Sequence, residues 1–355
     1  MKSIPRSTLR LSALAIASTL ALGLLPTAHA AEVDGPAVSW KVSTWGKKRA
    51  FTEGLEALST MVSEKTGGKF KIQLFYGEAL SKAKENLDGI KLNAFEMAQF
   101  CNFYHPGKNP ANMVFTLPFL DLANFQVNAD VRNAIYQHPA SIKEMDQWNA
   151  MLYVSTLLPQ YEFMGRGKPP LNPADFKGLR VRAGGGVGEA MVKLGATLTT
   201  VPATDVYTGM ERGTLDAASF PFTYAHAAYK LPEISSWFTG NLSPGSSDCP
   251  VVINKTAYAK LPAQYQKLLM DLKPAVDKAQ IQAYIDIDAK NLPMFKQKLT
   301  EITYTPAQLE EFQKIAGQPV WDAWIAANQD KFDAKGLVAA VQAEITKAKA
   351  KHGVK

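Results

Sequence analysis

Between Ser39 and Phe100 the hydrophobic rhythm of the chain switches back and forth between two periods, and this restricts the fold more than any other feature. From Ser39 to Thr44 (SWKVST) apolar and polar residues alternate as in a half-buried strand. From Phe51 to Glu64 the apolar residues Leu55, Leu58, Met61 and Val62 recur at helical spacing, and Gly67 and Gly68 close that helix. Phe70 to Phe75 (FKIQLF) alternates again, the turn at Tyr76 and Gly77 leads into a helix through Asn86 to Leu92, and Phe95 to Phe100 reads as a third, buried strand. Strand, helix, strand, helix, strand is a βαβαβ unit, which predicts a parallel sheet with right-handed crossovers.

A second α/β passage follows. Met151 to Leu157 reads as a strand ending at Pro159, and the glycines and prolines of Phe163 to Pro170 (FMGRGKPP) suggest a crossing between lobes. Gly178 to Arg182 is a strand, Ala183 to Gly186 a turn, Val187 to Leu194 a helix, Thr197 to Val201 a strand and Asp205 to Arg212 a helix. Val251 to Ile253 is expected to return to the first lobe. Beyond Pro262 the pattern is helical: Tyr265, Leu268, Leu269 and Leu272, then Ile281 to Phe295, Trp321 to Ile325 and Leu337 to Ile345.

The first thirty residues have a different character. Lys2, Arg6 and Arg10 precede an apolar stretch from Leu11 to Leu25, and Ala28-His29-Ala30 supplies a small-residue cleavage site. This is the form of a secretory signal cleaved after Ala30, and it predicts export to the periplasm. Removing its three basic residues lowers the formal charge of +7 to +4. That mild excess suits a protein that captures anions. No basic run with interleaved aromatics supports nucleic-acid binding. Cys101 and Cys249 are the only cysteines; in an oxidising compartment they form either a disulfide or two buried thiols, and their spacing fits no metal motif.

Nucleophile elbows, paired catalytic carboxylates and metal-ligand clusters are absent from the sequence, so no cofactor is expected. Gly184 to Gly188 resembles half of a dinucleotide fingerprint, but Glu189 stands where the last glycine belongs. What the stretch offers is a helix N-terminus with free N–H groups, a favourable place for an anion. Arg182, at the C-terminal end of the preceding strand, points toward the same crevice and could grip a carboxylate with two parallel hydrogen bonds. A solvated charge or an internal ion pair is the plainer role for it. The aromatic run from Phe220 to Tyr224 serves either a core or a ligand cradle.

These residues together resemble the solute receptors of TRAP transporters, the DctP family. The resemblance runs from Trp40 to about Ile345. It rests on Thr66 to Ile72 (TGGKFKI), Gly77 to Leu80 (GEAL), Leu87 to Lys91 (LDGIK) leading to Glu96 to Ala98 (EMA), and Leu117 to Leu120 (LPFL). In the second half it rests on Asp175 to Arg182 (DFKGLRVR), Gly195-Ala196 before Val201-Pro202, Asp205 to Tyr207 (DVY) and Gly213 to Ala217 (GTLDA). It implies an α/β two-lobe periplasmic binding protein fold with a central cleft, mixed sheets and long C-terminal helices bridging the lobes. Lobe I is expected to comprise residues 31–160 and 250–290, and lobe II residues 161–249 and 291–355.

The implied function is receipt of a small organic carboxylate by lobe closure and its delivery, as a monomer, to the small and large permease subunits. A secreted enzyme acting on small acids is the competing class. The carboxylate-binding arginine of the family matches Arg182, and a second arginine matches Arg166. Phe220 stands where many members carry an asparagine, and Cys101, Asn102, Phe103 and Tyr104 replace charged residues used by sugar-acid receptors. With Trp45, Phe51 and Tyr224 as further wall residues, these departures point to an apolar ligand, an aromatic monocarboxylate such as a benzoate or hydroxycinnamate. A C4-dicarboxylate, a 2-oxo acid or a sugar acid is the alternative.

Overall fold

The computed structural model describes residues 32–354, so the expected cleavage after Ala30 lies outside the described residues. The alternating segments form β1 (Val38–Ser43) and β2 (Phe70–Phe75), joined by α1 (Glu53–Lys65); α2 (Asn86–Lys91) then leads to β3 (Met97–Gln99). In β1 and β2 the side chains Trp40, Val42, Phe70 and Ile72 are buried while Lys41 and Lys71 face solvent. The period of two is therefore a burial pattern. Next come α3 (Phe125–Ile135), α4 (Pro139–Asp146) and β4 (Ala150–Val154), followed by β5 (Tyr161–Gly165), β6 (Arg180–Arg182), α5 (Gly185–Lys193), β7 (Thr197–Thr199), α6 (Val206–Glu211), β8 (Ala217–Pro221), α7 (Tyr224–Ala228) and β9 (Trp237–Thr239). The chain ends with β10 (Val251–Asn254), α8 (Lys255–Ala259), α9 (Ala263–Lys298), β11 (Thr300–Ile302), α10 (Pro306–Ala316), α11 (Gln318–Asn328) and α12 (Ala334–His352).

Two mixed sheets result, one in each lobe. The first has the order β2-β1-β3-β10-β4, with β1, β2 and β3 parallel and β10 inserted antiparallel to β3 and β4. The second has the order β11-β9-β5-β8-β6-β7; β6 runs parallel to β7 and β8, while β5 is antiparallel to β8 and β9. The Gly and Pro run read as an inter-lobe crossing begins inside this sheet: Phe163 to Gly165 belong to β5. Gly165 is required there for packing, because a Cβ would sit 2.3 Å from the Trp237 ring. The segments that pass between the sheets are residues 155–160 and 240–250.

The third connection is α9. At 1.5 Å per residue its 36 residues span about 54 Å. Its Leu268, Leu269, Leu272 and Val276 pack with Leu55, Leu58 and Val62 of α1, whereas Tyr284 and Phe295 join the aromatic cluster containing Phe220 and Phe238. One helix thus contributes to both lobes. Within residues 291–355, β11 extends the second sheet and α12 packs on α3. Leu337, Val338, Val341, Ile345 and Ala348 form its buried stripe against Val127, Val131 and Ile135, each large side chain contributing roughly 1.5–3 kcal/mol. Among the described residues no helix is long and apolar enough to cross a membrane.

Candidate functional site

Two buried arginines lie near the junction of the lobes. Arg132 projects from α3 and meets Asp248 in the returning segment, with Nη1 2.9 Å from Oδ1 in an ionic contact and both side chains 1% exposed. Asp248 also accepts hydrogen bonds from Tyr136 Oη at 2.5 Å and Ser155 Oγ at 2.9 Å, and Arg132 Nη2 donates to the Ser247 carbonyl at 3.1 Å. This network ties together both strand-to-strand crossings.

Arg182 is equally buried, at 1%, but has no acidic partner among the described residues. Being the last residue of β6, it pairs with Ala218 of the parallel β8, which runs three residues further. Its Nε donates to the Val201 carbonyl at 3.1 Å, Nη1 to the Ser219 carbonyl at 3.0 Å and Nη2 to Tyr104 Oη at 3.4 Å. Of the five N–H donors of a guanidinium, two remain, one on each Nη. The charge lies 4.6 Å from the centre of the Phe220 ring and 5.4 Å from that of Phe103. Burying a cation without a counter-charge is costly, so this arrangement favours an anion.

A pocket surrounds that guanidinium. Trp45, Phe103, Tyr104, Arg182, Phe220 and Tyr224, all expected from the sequence as site residues, line it together with Phe51. Arg166 does not. It is exposed, and its Nη1 donates to the carbonyls of Met210 and Glu211. The strand direction explains this: β5 runs antiparallel to β8, so its first residue, Tyr161, pairs with Pro221 beside the pocket while Arg166 follows its far end, bonded to Asp216. Pairing with a neighbouring strand, invisible in a local motif, carries Arg166 away.

The same pocket includes Arg49, Tyr161 and Tyr229, which sequence reading did not select, and Cys101 and Cys249, which form the disulfide, one of the two states expected of them. The disulfide links the segment after β3 to the segment before β10, whose strands are antiparallel neighbours. Among the described residues no acidic side chain lines the pocket. Its open space is about 30 Å³, room for about two waters at 10–15 Å³ each, so the lining rings are closely packed.

The two lobes also meet at the glycines that open α5. A Cβ on Gly184 would sit 2.2 Å from the Phe103 ring, and Gly186 N–H donates to Thr116 Oγ1 at 2.9 Å. The expected anion-binding helix N-terminus is thus a docking face for lobe I: Thr116 takes one of its N–H groups, and the missing side chains admit Phe103. Ala203 N–H similarly donates to Tyr104 Oη at 2.9 Å across the cleft. Burial raises the Tyr104 hydroxyl above its ordinary pKa, so it stays protonated. His226, behind Phe220, is held down to about 3 by burial and is neutral.

Comparison with known proteins agrees with this architecture. The family model for bacterial extracellular solute-binding protein family 7, DctP, matches residues 42–328. A monocarboxylate 2-oxoacid-binding periplasmic protein of Nostoc is 26% identical over 320 residues, 88% of this chain and 86% of that protein. A TRAP solute-binding protein of Rhodoferax ferrireducens, solved with copurified benzoate, superimposes with a TM-score of 0.78 at 20% identity, covering 89% of this chain and 100% of the other. A marine metagenome TRAP protein specific for aromatic acids, solved with 3-hydroxybenzoate, gives 0.78 at 20% identity, covering 88% and 99%. At these identities the two structures support the fold. The chain belongs to the DctP family of periplasmic solute-binding proteins, the receptors of TRAP transporters, which capture a solute and perform no bond chemistry.

Proposed function

We propose that this receptor captures an aromatic monocarboxylate of the benzoate or hydroxycinnamate kind and presents it to the TRAP membrane subunits. The observation that carries the reading is Arg182: a buried guanidinium with two unused N–H groups, no acidic partner among the described residues, and aromatic rings on two sides. A carboxylate would supply the missing charge with paired hydrogen bonds. Trp45, Phe51, Phe103, Phe220 and Tyr224 would enclose an apolar ring, and Tyr104 would fix the carboxylate end. The benzoate and hydroxybenzoate recorded with the two similar structures are in keeping with this ligand class.

Residues from both lobes line the pocket, so a ligand bridging them favours closure by its differential affinity for the shut state. The small closed volume requires opening, or movement of rings, before a ligand can enter. A 2-oxo acid is the second reading, favoured by the Nostoc relative. Calorimetry on protein purified without refolding, with benzoate, 4-hydroxycinnamate, pyruvate, succinate and glucuronate, separates the alternatives. We expect the aromatic acids to bind most tightly; binding of pyruvate, succinate or glucuronate with none of either aromatic acid would overturn the aromatic reading.

A further inference from the structure

The pocket has a second polar end, built around Arg49. This residue lies between β1 and α1, in the turn that begins at Gly46. Its Nη1 donates to the carbonyls of Trp45 at 2.8 Å and Lys47 at 2.7 Å, so the turn holds the guanidinium in place. Gly46 has φ +68°, and a Cβ there would lie 2.9 Å from Arg49 Nη1 and 3.2 Å from Tyr229 Oη. The missing side chain therefore lets an arginine of lobe I and a tyrosine of lobe II approach one point.

That approach leaves hydrogen-bonding capacity unused. Arg49 Nε and Tyr229 Oη are both buried and lack a hydrogen-bond partner, although both residues line the pocket. Each carries an N–H or O–H, so one acceptor oxygen could satisfy both. Arg49, like Arg182, has no acidic partner among the described residues. A chain of ring contacts links the two arginines: Arg182 lies 4.6 Å from Phe220, Phe220 stacks on Tyr229 at 5.4 Å, and Arg49 lies 5.8 Å from Tyr229 and 4.5 Å from Phe51.

We propose that Arg49 and Tyr229 are specificity-determining residues that select an aromatic acid bearing an acceptor oxygen on its ring, remote from the carboxylate. The inference rests on the aromatic-acid reading and names the substituent. The carboxylate is held at the Arg182 end, and the ring oxygen receives hydrogen bonds from Arg49 Nε and the Tyr229 hydroxyl. Because these donors belong to different lobes, the substituent adds a contact that exists only in the closed state.

Calorimetric titration of benzoate, 3-hydroxybenzoate and 4-hydroxybenzoate into wild type, Tyr229→Phe and Arg49→Met tests this. Wild type is expected to bind the better hydroxybenzoate at least about tenfold more tightly than benzoate, the scale of one well-placed hydrogen bond. Tyr229→Phe, which keeps the ring stack, should reduce that ratio several-fold, and Arg49→Met should bring it toward unity. Binding of benzoate without a hydroxyl preference in wild type, or an unchanged ratio in Tyr229→Phe and Arg49→Met, would overturn the selection role while leaving the aromatic-acid reading intact. Absence of binding by all three acids would overturn both.

Discussion

Arg132 and Arg182 are buried to the same degree, yet their surroundings differ in one decisive respect. Arg132 meets the carboxylate of Asp248, which two hydroxyls also hold, whereas Arg182 meets only carbonyls, a phenol and ring faces. The first charge is neutralised within the protein and pins the crossings. The second is solvated by neutral dipoles and retains capacity for a ligand. Burial alone therefore does not single out a candidate binding residue; burial without a counter-charge does.

The strongest challenge to this contrast is Asp248→Ala. It leaves Arg132 buried and unpaired, and should lower unfolding free energy by about 3–5 kcal/mol in urea denaturation. A loss under about 1 kcal/mol would mean that the pair does not hold the crossings. Arg182→Met should do the opposite: raise the Kd for the bound carboxylate at least about tenfold, with little loss of ligand-free stability, because no ion pair is broken. If it destabilised the free protein as much as Asp248→Ala, Arg182 would belong with the structural arginine.

A smaller effect is expected at the ring beside Arg182. Phe220→Asn should weaken aromatic-acid binding by about 1–2 kcal/mol and improve that of hydroxylated acids, read as a change in their Kd ratio. An unchanged ratio would remove Phe220 from selectivity.

The smallest effect concerns Glu162 on β5, the acidic counterpart of Arg182: buried and served by neutral donors. Thr239 Oγ1 donates at 2.5 Å, and the Ser243 and Leu242 N–H groups at 2.8 and 3.2 Å. Burial nevertheless pushes its carboxyl up to about 7, from an ordinary 4.5. The native state thus holds a proton that the unfolded chain releases above pH 4.5, and the associated stability is lost as pH rises through about 7. Glu162→Gln should flatten that decline by an amount of order 1 kcal/mol in urea titrations across pH 5–8, leaving the parts due to Glu144, raised to about 7, and Asp277, raised to about 6, both by burial. An unaltered pH profile would exclude Glu162 as its source.

Much of the candidate pocket is legible where local pattern governs it. Arg182 ends a strand recognisable from GLRVR, and Phe220 and Tyr224 belong to an aromatic run. The short strands β5, β8 and β9 were not recognised, because segments buried on both faces lack alternation: all five residues of β5 and of β8 are buried. Arg49, a lone arginine after two lysines, carries no local pattern that distinguishes it from surface charge. The signal that could have raised it is Gly46, whose positive φ folds the turn back on the side chain. The misplacement of Arg166 has the same root as the missed strands, since direction and pairing in the second sheet decide where its end lies.

What the amino-acid sequence determined by itself is the periodicity of burial, and through it the βαβαβ start, the parallel pairing of β1, β2 and β3, and the position of Arg182 at a strand end. Tertiary structure alone decided which charges would find partners. Arg132 meets Asp248 across 116 positions, and Arg49 approaches Tyr229 across 180. Contacts at such separations depend on how sheets and lobes close on one another, which no local period encodes. The chemistry of the pocket depends on those contacts, because a buried cation is structural or ligand-seeking according to what the distant chain brings to it.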